Sequence, residues 1–263
     1  MQGLESDGPV KREVQVVASV DALMQRAAET MVLRAADAIR ERGRFIVALS
    51  GGSTPLSLFR LLASPSFSSR IDWRHVHVCW GDERCVPPED ARSNYRLACE
   101  ALLEHVPIPE AHVHRMHGEA VPEVAAMAYE AELRTLFGVN ERHDDFPCFD
   151  LILLGLGDDG HTASLFPHGR ALHEQTRWAV ADYIEVVSMW RITLTLPLIN
   201  ASRCVLFLVA GADKADVVQQ VLATPSHAVA LPAARVAPSR GILQWMVDGS
   251  AAAHTPGLHT TGA

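Results

Sequence analysis

The chain has 263 residues and almost no lysine: of its 23 basic side chains only Lys11 and Lys214 are lysines, and the other 21 are arginines. Cysteine is also sparse. Five residues, at 79, 85, 99, 148 and 204, are odd in number, scattered and without a Cys-x-x-Cys pair. They read as reduced, mostly structural thiols of a cytosolic protein. No apolar run approaches the ~20 residues of a membrane span, and residues 1–9 lack the basic-then-apolar order of a signal peptide. Positive charge is in deficit, at −8 overall, which argues against nucleic acid or an anionic membrane as the main partner. A small anionic substrate stays open, because it needs only a local cluster of cations. The expectation is a cytoplasmic protein without nucleic-acid or membrane partners, a monomer or weak homo-oligomer.

At 48% hydrophobic and 21% charged, the composition is that of an ordinary globular chain. Residues 1–12 and 250–263 read as flexible tails around one domain over 13–249. Apolar residues at helical spacing from Leu23 through Met31 to Ile39 predict a helix ending at Gly43. Buried strands are expected over 44–49, 75–80, 149–154 and 204–209, with further strands near 178–183 and 190–196. Helices are expected after Pro55, over about 93–105 and 122–137, and from Lys214 to about 223. Strands that alternate with helices, several of them continuous apolar runs, imply an α/β fold. Its sheet is mostly parallel and doubly wound, with helices on both faces.

Four loops follow apolar strands, and in such a sheet they converge on one edge. Ser50-Gly51-Gly52-Ser53-Thr54 offers amides, hydroxyls and a helix start that suit a phosphate, or else it is only a Gly-rich turn with an N-cap. No Gly-Lys-Ser/Thr follows it, and it lacks the Gly-x-Ser-x-Gly of a serine hydrolase. Asp82-Glu83-Arg84 is a solvated turn or a guanidinium clamp for an anion. Lys214, in a chain that otherwise uses arginine, is a surface lysine or a compact ammonium aimed at an oxyanion. Gly155-Leu156-Gly157-Asp158-Asp159-Gly160-His161 places an imidazole and carboxylates on a glycine-rich turn.

That last segment also satisfies Gly-x-Gly-x-x-Gly, the dinucleotide spacing. Asp158 and Asp159, however, would stand where a pyrophosphate needs bare amides. His161 is read as the proton-transfer residue, with Asp159 two positions earlier to orient it or to bind a substrate hydroxyl. The alternating histidines at 75 and 77, and at 112, 114 and 117, lack accompanying Cys or carboxylate ligands in sequence. They are read as surface residues rather than a metal site. No metal and no cofactor are expected.

Taken in order, Ser50-Gly-Gly-Ser-Thr-Pro55, Trp80-Gly-Asp-Glu-Arg84 and Gly155-Leu-Gly-Asp-Asp159-Gly-His161-Thr-Ala-Ser-Leu-Phe-Pro167 resemble the 6-phosphogluconolactonases. So do Arg191-Ile-Thr-Leu-Thr-Leu-Pro197, Gly211-Ala-Asp-Lys214 and Leu231-Pro-Ala-Ala-Arg-Val236. The resemblance implies a Rossmann-like fold and metal-independent hydrolysis of 6-phospho-D-glucono-1,5-lactone. It implies His161 as general base, with Arg84, Lys214 and the 50–54 loop on the substrate. Glucosamine-6-phosphate deaminases share the fold and the Asp-Gly-His core. They typically carry Asp-Glu-Tyr in place of Asp82-Glu83-Arg84, and Ile-Ala-Phe-Asn-Glu-Pro in place of Thr162–Pro167, so the lactonase is the expected function. A non-catalytic sugar-phosphate sensor is disfavoured, because no helix-turn-helix is visible.

Overall fold

The computed structural model describes residues 11–139, 146–223, 231–255 and 257–258. Among the described residues the strands are β1 (Lys11–Val17), β2 (Phe45–Leu49), β3 (Val76–Trp80), β4 (Asp82–Arg84), β5 (Leu151–Leu154), β6 (Ala179–Ile184), β7 (Met189–Leu194), β8 (Cys204–Val209) and β9 (Ile242–Asp248). The α-helices among them are α1 (Val20–Arg42), α2 (Ser53–Ala63), α3 (Pro65–Ser68), α4 (Asn94–Ala101), α5 (Pro122–Phe137), α6 (Leu196–Asn200) and α7 (Ala215–Ala223). Six strands form one parallel sheet in the order β1-β9-β8-β5-β2-β3. This is the mostly parallel α/β sheet that the strand–helix alternation predicts.

Local sequence accounts for the elements. Ser19 caps α1 by accepting from the Ala22 amide at 3.2 Å, and Asp21 in its first turn faces the positive end of the helix dipole. Its buried stripe, Leu23, Ala27, Met31 and Ala35, is the helical period read from sequence. β2, β5 and β8 are buried at every residue, as central strands covered on two faces must be.

Strand order is what positions the site. From β2 the chain moves outward to β3, and it then returns to the other side of β2 to lay down β5, from which it proceeds to β8. The loops leaving β2 and β5 therefore diverge, and a crevice opens between them at the carboxyl ends of the strands.

Some expectations are corrected. β6 and β7 lie outside the parallel sheet and form, with β4, a three-stranded antiparallel sheet in the order β4-β7-β6. Only four residues join β6 to β7, which permits a hairpin but no parallel crossover. Lys11 and Arg12, assigned to the N-terminal tail, open β1, whose charged start suits an exposed edge strand. β9 was not expected as a strand, and it lies between β1 and β8. Residues 250–255, assigned to the C-terminal tail, are turns in which Ala251 and Ala252 are buried. Residues 1–10, 256 and 259–263 of the two tails lie outside the described residues.

The histidine pairs also differ from a simple surface reading. His75 and His117 are exposed, but His77 on edge strand β3 stacks on His112, with ring centroids 3.9 Å apart, and its Nδ1 lies 3.1 Å from His114 Nε2. His114 is tied by Nδ1 to Glu132 of α5 at 2.8 Å. Among the described residues no three His, Cys, Asp or Glu side chains are disposed to share a metal ion.

Burial, and then the neighbouring His112, His114 and Arg44, disfavour the imidazolium and bring His77 from 6.5 down to about 4. The unfolded chain thus takes up the His77 proton first as pH falls. This contribution to stability is intact above about pH 6.5 and is lost on the way down to about pH 4. In thermal melts across that window, His77→Gln is expected to flatten the acid-side fall in Tm relative to the parent. Parallel profiles would contradict it.

Candidate active site

A cleft of about 280 Å3 sits at the carboxyl edge of the parallel sheet, beside the β2/β5 divergence. It is at the small end of ligand pockets. Ser50, Gly51, Gly52, Ser53 and Thr54 after β2, Arg84 of β4, His161 after β5 and Lys214 after β8 all line it. Asp159 stands behind His161. The residues expected to transfer a proton or to hold the substrate thus lie together, whereas the histidines at 75, 77, 112, 114 and 117 do not line this cleft.

The His161 loop is built from its glycines. Gly157 donates its amide to the His161 carbonyl at 2.8 Å, and the Gly160 amide bonds the Gly157 carbonyl at 2.9 Å. Thr162 Oγ1 closes the base of the loop on the Gly155 carbonyl at 2.9 Å. No helix follows Gly160; the chain passes through the turn into a short Thr162–Leu165 bridge. A dinucleotide-binding loop would need that helix start, so the Gly-x-Gly-x-x-Gly spacing is a coincidence of the turn.

His161 is held from three sides. Asp159 Oδ1 lies 2.6 Å from its Nδ1 and also accepts its backbone amide at 3.0 Å. The ring lies flat on Phe166, centroid to centroid 4.0 Å at 17°. An ionised carboxylate only accepts, so in this pair Nδ1 is the donor and Nε2 is the nitrogen turned away from Asp159. Below the ring is Gly157, where a Cβ would come within 2.0 Å of Nδ1.

The opposite wall is organised by two buried carboxylates. Glu83 sits at the start of α4. It accepts from the amides of Asn94 at 2.7 Å, Tyr95 at 2.8 Å and Arg84 at 2.7 Å, and from Ser93 Oγ at 2.9 Å. Burial raises its pKa, and the four donors pull in the other direction without overcoming it. Asp82 accepts from Ser164 Oγ at 2.6 Å and from Asn94 Nδ2 at 3.2 Å, which ties β4 to the segment after His161. The Asn94 side chain reaches so far under the 50–54 loop that a Cβ on Gly51 would lie 1.8 Å from its Oδ1. A glycine is required there by space alone.

The cations differ in how they are held. Lys214 is bonded to Asp158, so the ammonium expected to be free for an oxyanion already has a partner across the cleft. That partner lowers the Asp158 pKa. Arg84 donates Nη1 to the Arg92 carbonyl. The loop carrying Lys214 is anchored by Asp248 Oδ1, which accepts the Gly211 amide at 3.1 Å.

Site reasoning on sequence left out Asp82, Asn94, Ala163, Ser164, Phe166 and Arg191, which also line the cleft. An arginine between Trp190 and Ile192 of β7 was the available signal for Arg191. Ala163 gave none: its φ of 49° is a left-handed conformation seen only in the folded chain, of the strained kind that gathers at functional sites.

Gly157→Ala must push the His161 ring away, because the flexible partner yields before the backbone does. Overpacking of this kind costs about 1–3 kcal/mol, too little to unfold the domain. The expected outcome is an unchanged far-ultraviolet circular dichroism spectrum with a displaced His161 titration by NMR. An unaltered titration would show that the ring does not depend on this gap.

Comparison with known proteins follows the same lines. The sequence model of the family described as glucosamine-6-phosphate isomerases/6-phosphogluconolactonase matches residues 18–245. A 6-phosphogluconolactonase of Synechocystis sp. is 44% identical over 241 residues, covering 90% of this chain and 95% of that protein. The structure of 6-phosphogluconolactonase from Trypanosoma cruzi superposes with a TM-score of 0.81 at 30% identity, covering 95% and 98% of the two chains. A monomeric glucosamine-6-phosphate deaminase gives a TM-score of 0.74 at 21% identity over 92% and 99%, a likeness of fold alone. The match of the family model over residues 18–245 and the identity to the Synechocystis protein place the chain in the glucosamine-6-phosphate isomerase/6-phosphogluconolactonase family.

Proposed function

We propose that the chain hydrolyses 6-phospho-D-glucono-1,5-lactone to 6-phospho-D-gluconate, the lactonase step of the oxidative pentose phosphate pathway. The observation that carries the reading is the His161–Asp159 pair at 2.6 Å, on the strand-end loop of a cleft that also holds cations and helix-start amides. The lactonase names of the relatives support it, and the likeness to a deaminase extends only to the fold. Where deaminases carry a tyrosine the chain has Arg84, and Thr162–Pro167 replaces the segment that gives them a glutamate. The chain therefore lacks at these positions the groups suited to ring opening and aldose–ketose proton shuttling. Five free thiols fit a reducing compartment, the cytoplasm.

In this mechanism the phosphate is held by Arg84, Lys214 and the amides of 50–54, and a substrate oxygen competes with Asp158 for the ammonium. His161 Nε2 takes a proton from water as the water oxygen attacks C1. Asp159 keeps Nδ1 protonated and stabilises the imidazolium. The tetrahedral oxyanion collapses, the C1–O5 bond breaks, and the imidazolium returns its proton to O5. The new carboxylic acid then ionises and releases one proton. A δ-lactone is already an activated ester, so no covalent enzyme intermediate is needed.

General-base assistance is worth about 10²–10⁴-fold, so His161→Ala should lower kcat on fresh 6-phosphogluconolactone by that order in a coupled assay. Asp159→Asn should lower kcat in the same direction, since an amide no longer dictates the tautomer. Near-wild-type kcat in His161→Ala would dismiss the base assignment. Turnover of glucosamine 6-phosphate in place of the lactone would overturn the reading. For Lys214→Ala the effect is expected in KM; an unchanged KM would remove Lys214 from the binding role.

A further inference from the structure

The β4/β7 pairing sets Arg84 directly opposite Arg191. Side chains opposite one another in an antiparallel pair share a face, with Cβ atoms roughly 4.5–5.5 Å apart, and like charges there are destabilising. Asp82 and Glu83 act against it through space, but neither is bonded to the Arg191 guanidinium. Among the described residues Arg191 donates no hydrogen bond, and its buried Nε has no acceptor; the buried Nε of Arg84 has none either.

The carboxylates that might have served are committed elsewhere. Asp182, opposite Arg191 on β6, accepts from Arg170 Nε at 3.2 Å and from the Ala171 amide at 3.0 Å. Asp82 serves Ser164 and Asn94, and Glu83 caps α4. Burial first, with Arg84 adding to it, lowers the Arg191 pKa even though Asp82 and Glu83 act in the other direction. The guanidinium is thus half-buried and unbonded, beside a second arginine, on the wall of the substrate cleft.

We infer that Arg191 is a specificity-determining residue: with Arg84 it clamps the phosphate of the substrate and sets the preference for phosphorylated over unphosphorylated lactones. Two facing guanidinium groups with unbonded donors call for an anion present in the bound ground state. The oxyanion at C1 exists only in passing and must lie near His161, on the other wall. A phosphate dianion matches two fixed guanidinium forks in charge and in geometry. Arg84 is braced by a backbone carbonyl and leaves its charge uncompensated, whereas Lys214 already has Asp158. The inference rests on the lactonase reading for its substrate, but not for its phosphate.

The test compares wild type, Arg191→Met and Arg191→Lys on two substrates, 6-phosphogluconolactone and glucono-1,5-lactone. Inorganic phosphate is added separately in thermal melts. For Arg191→Met, the ratio of kcat/KM between the phosphorylated and unphosphorylated lactone is expected to fall about 10- to 100-fold, the worth of charge-assisted hydrogen bonds, and the loss should appear in KM. Arg191→Lys, with charge but no fork, should fall between. Without phosphate the Tm of Arg191→Met should equal or exceed that of wild type, since a half-buried guanidinium with no bonded partner is removed. The rise in Tm that phosphate gives wild type should vanish.

Equal losses on both lactones, or a phosphate-induced rise in Tm that survives in Arg191→Met, would overturn the inference while leaving the lactonase reading intact. A wild type that turns over neither lactone would sink the lactonase reading, and the phosphate melts would still decide the role of Arg191.

Discussion

The seam between β2 and β5 is the constraint on which the rest depends. Only there do two neighbouring parallel strands send the chain in opposite directions, with Val47 beside Leu151 and Ala48 beside Ile152. Both strands are buried at every residue, and each such aliphatic side chain is worth roughly 1.5–3 kcal/mol. Against that sum, a left-handed Ala163 costs about 1–3 kcal/mol, and an uncompensated arginine pair is another local expense. The sheet can carry both at its edge without loss of the fold. Strain and unpaired charge thus accumulate where the strands end, and that is also where a ligand can use them.

A second layer of control comes from carboxylates that never face the ligand as free charges. Glu83 joins the end of β3, through β4, to the start of α4 by accepting three amides and a hydroxyl. Asp82 reaches across to Ser164 and so fixes the two walls of the cleft relative to one another. Neither is bonded to a guanidinium. These two carboxylates work as struts, and Arg84 and Arg191 are left without a bonded carboxylate, whereas Lys214 has Asp158. A chain of net charge −8 can bind a phosphorylated sugar acid on this basis, because the local arrangement and not the total decides the field in the cleft.

Much of this was legible in sequence because it depends on short-range rules. Continuous apolar runs gave β2, β5 and β8, helical spacing gave α1, and α5 was expected over the residues it occupies. The Gly-rich turns at 50–54 and 155–161 could be recognised as strand-end loops, and convergence followed from the fold class. What stayed hidden depends on partners distant in sequence. The charged start of β1, Lys11 and Arg12, reads as tail, and pairing with β9, more than 200 residues on, makes it part of a strand. The strands of the β6–β7 hairpin are interrupted by Asp182 and Arg191, and this and their short connection were the cues against a place among the parallel strands. The facing of His77 by His112 and His114 needs the 112–114 segment to run beside β3, which no spacing rule discloses.

The site shows the same division. His161 and Asp159 are two residues apart, so their bond is a local matter and sequence could propose it. Arg84 and Arg191 are more than a hundred residues apart, and their opposition exists only in the register of β4 on β7. Arg84 by itself is an ordinary charged turn residue and Arg191 by itself an oddity in an apolar strand. Their meaning lies in the pair. Lys214 is the converse: it stands out in a chain of arginines, yet the fold gives it to Asp158. Rarity of a residue type draws attention, but what decides whether a cation is available to a ligand is which carboxylates the fold has already committed. Counted in that way, the acceptors around β4 and β7 are used up, and the two guanidinium groups left over mark where an anion belongs.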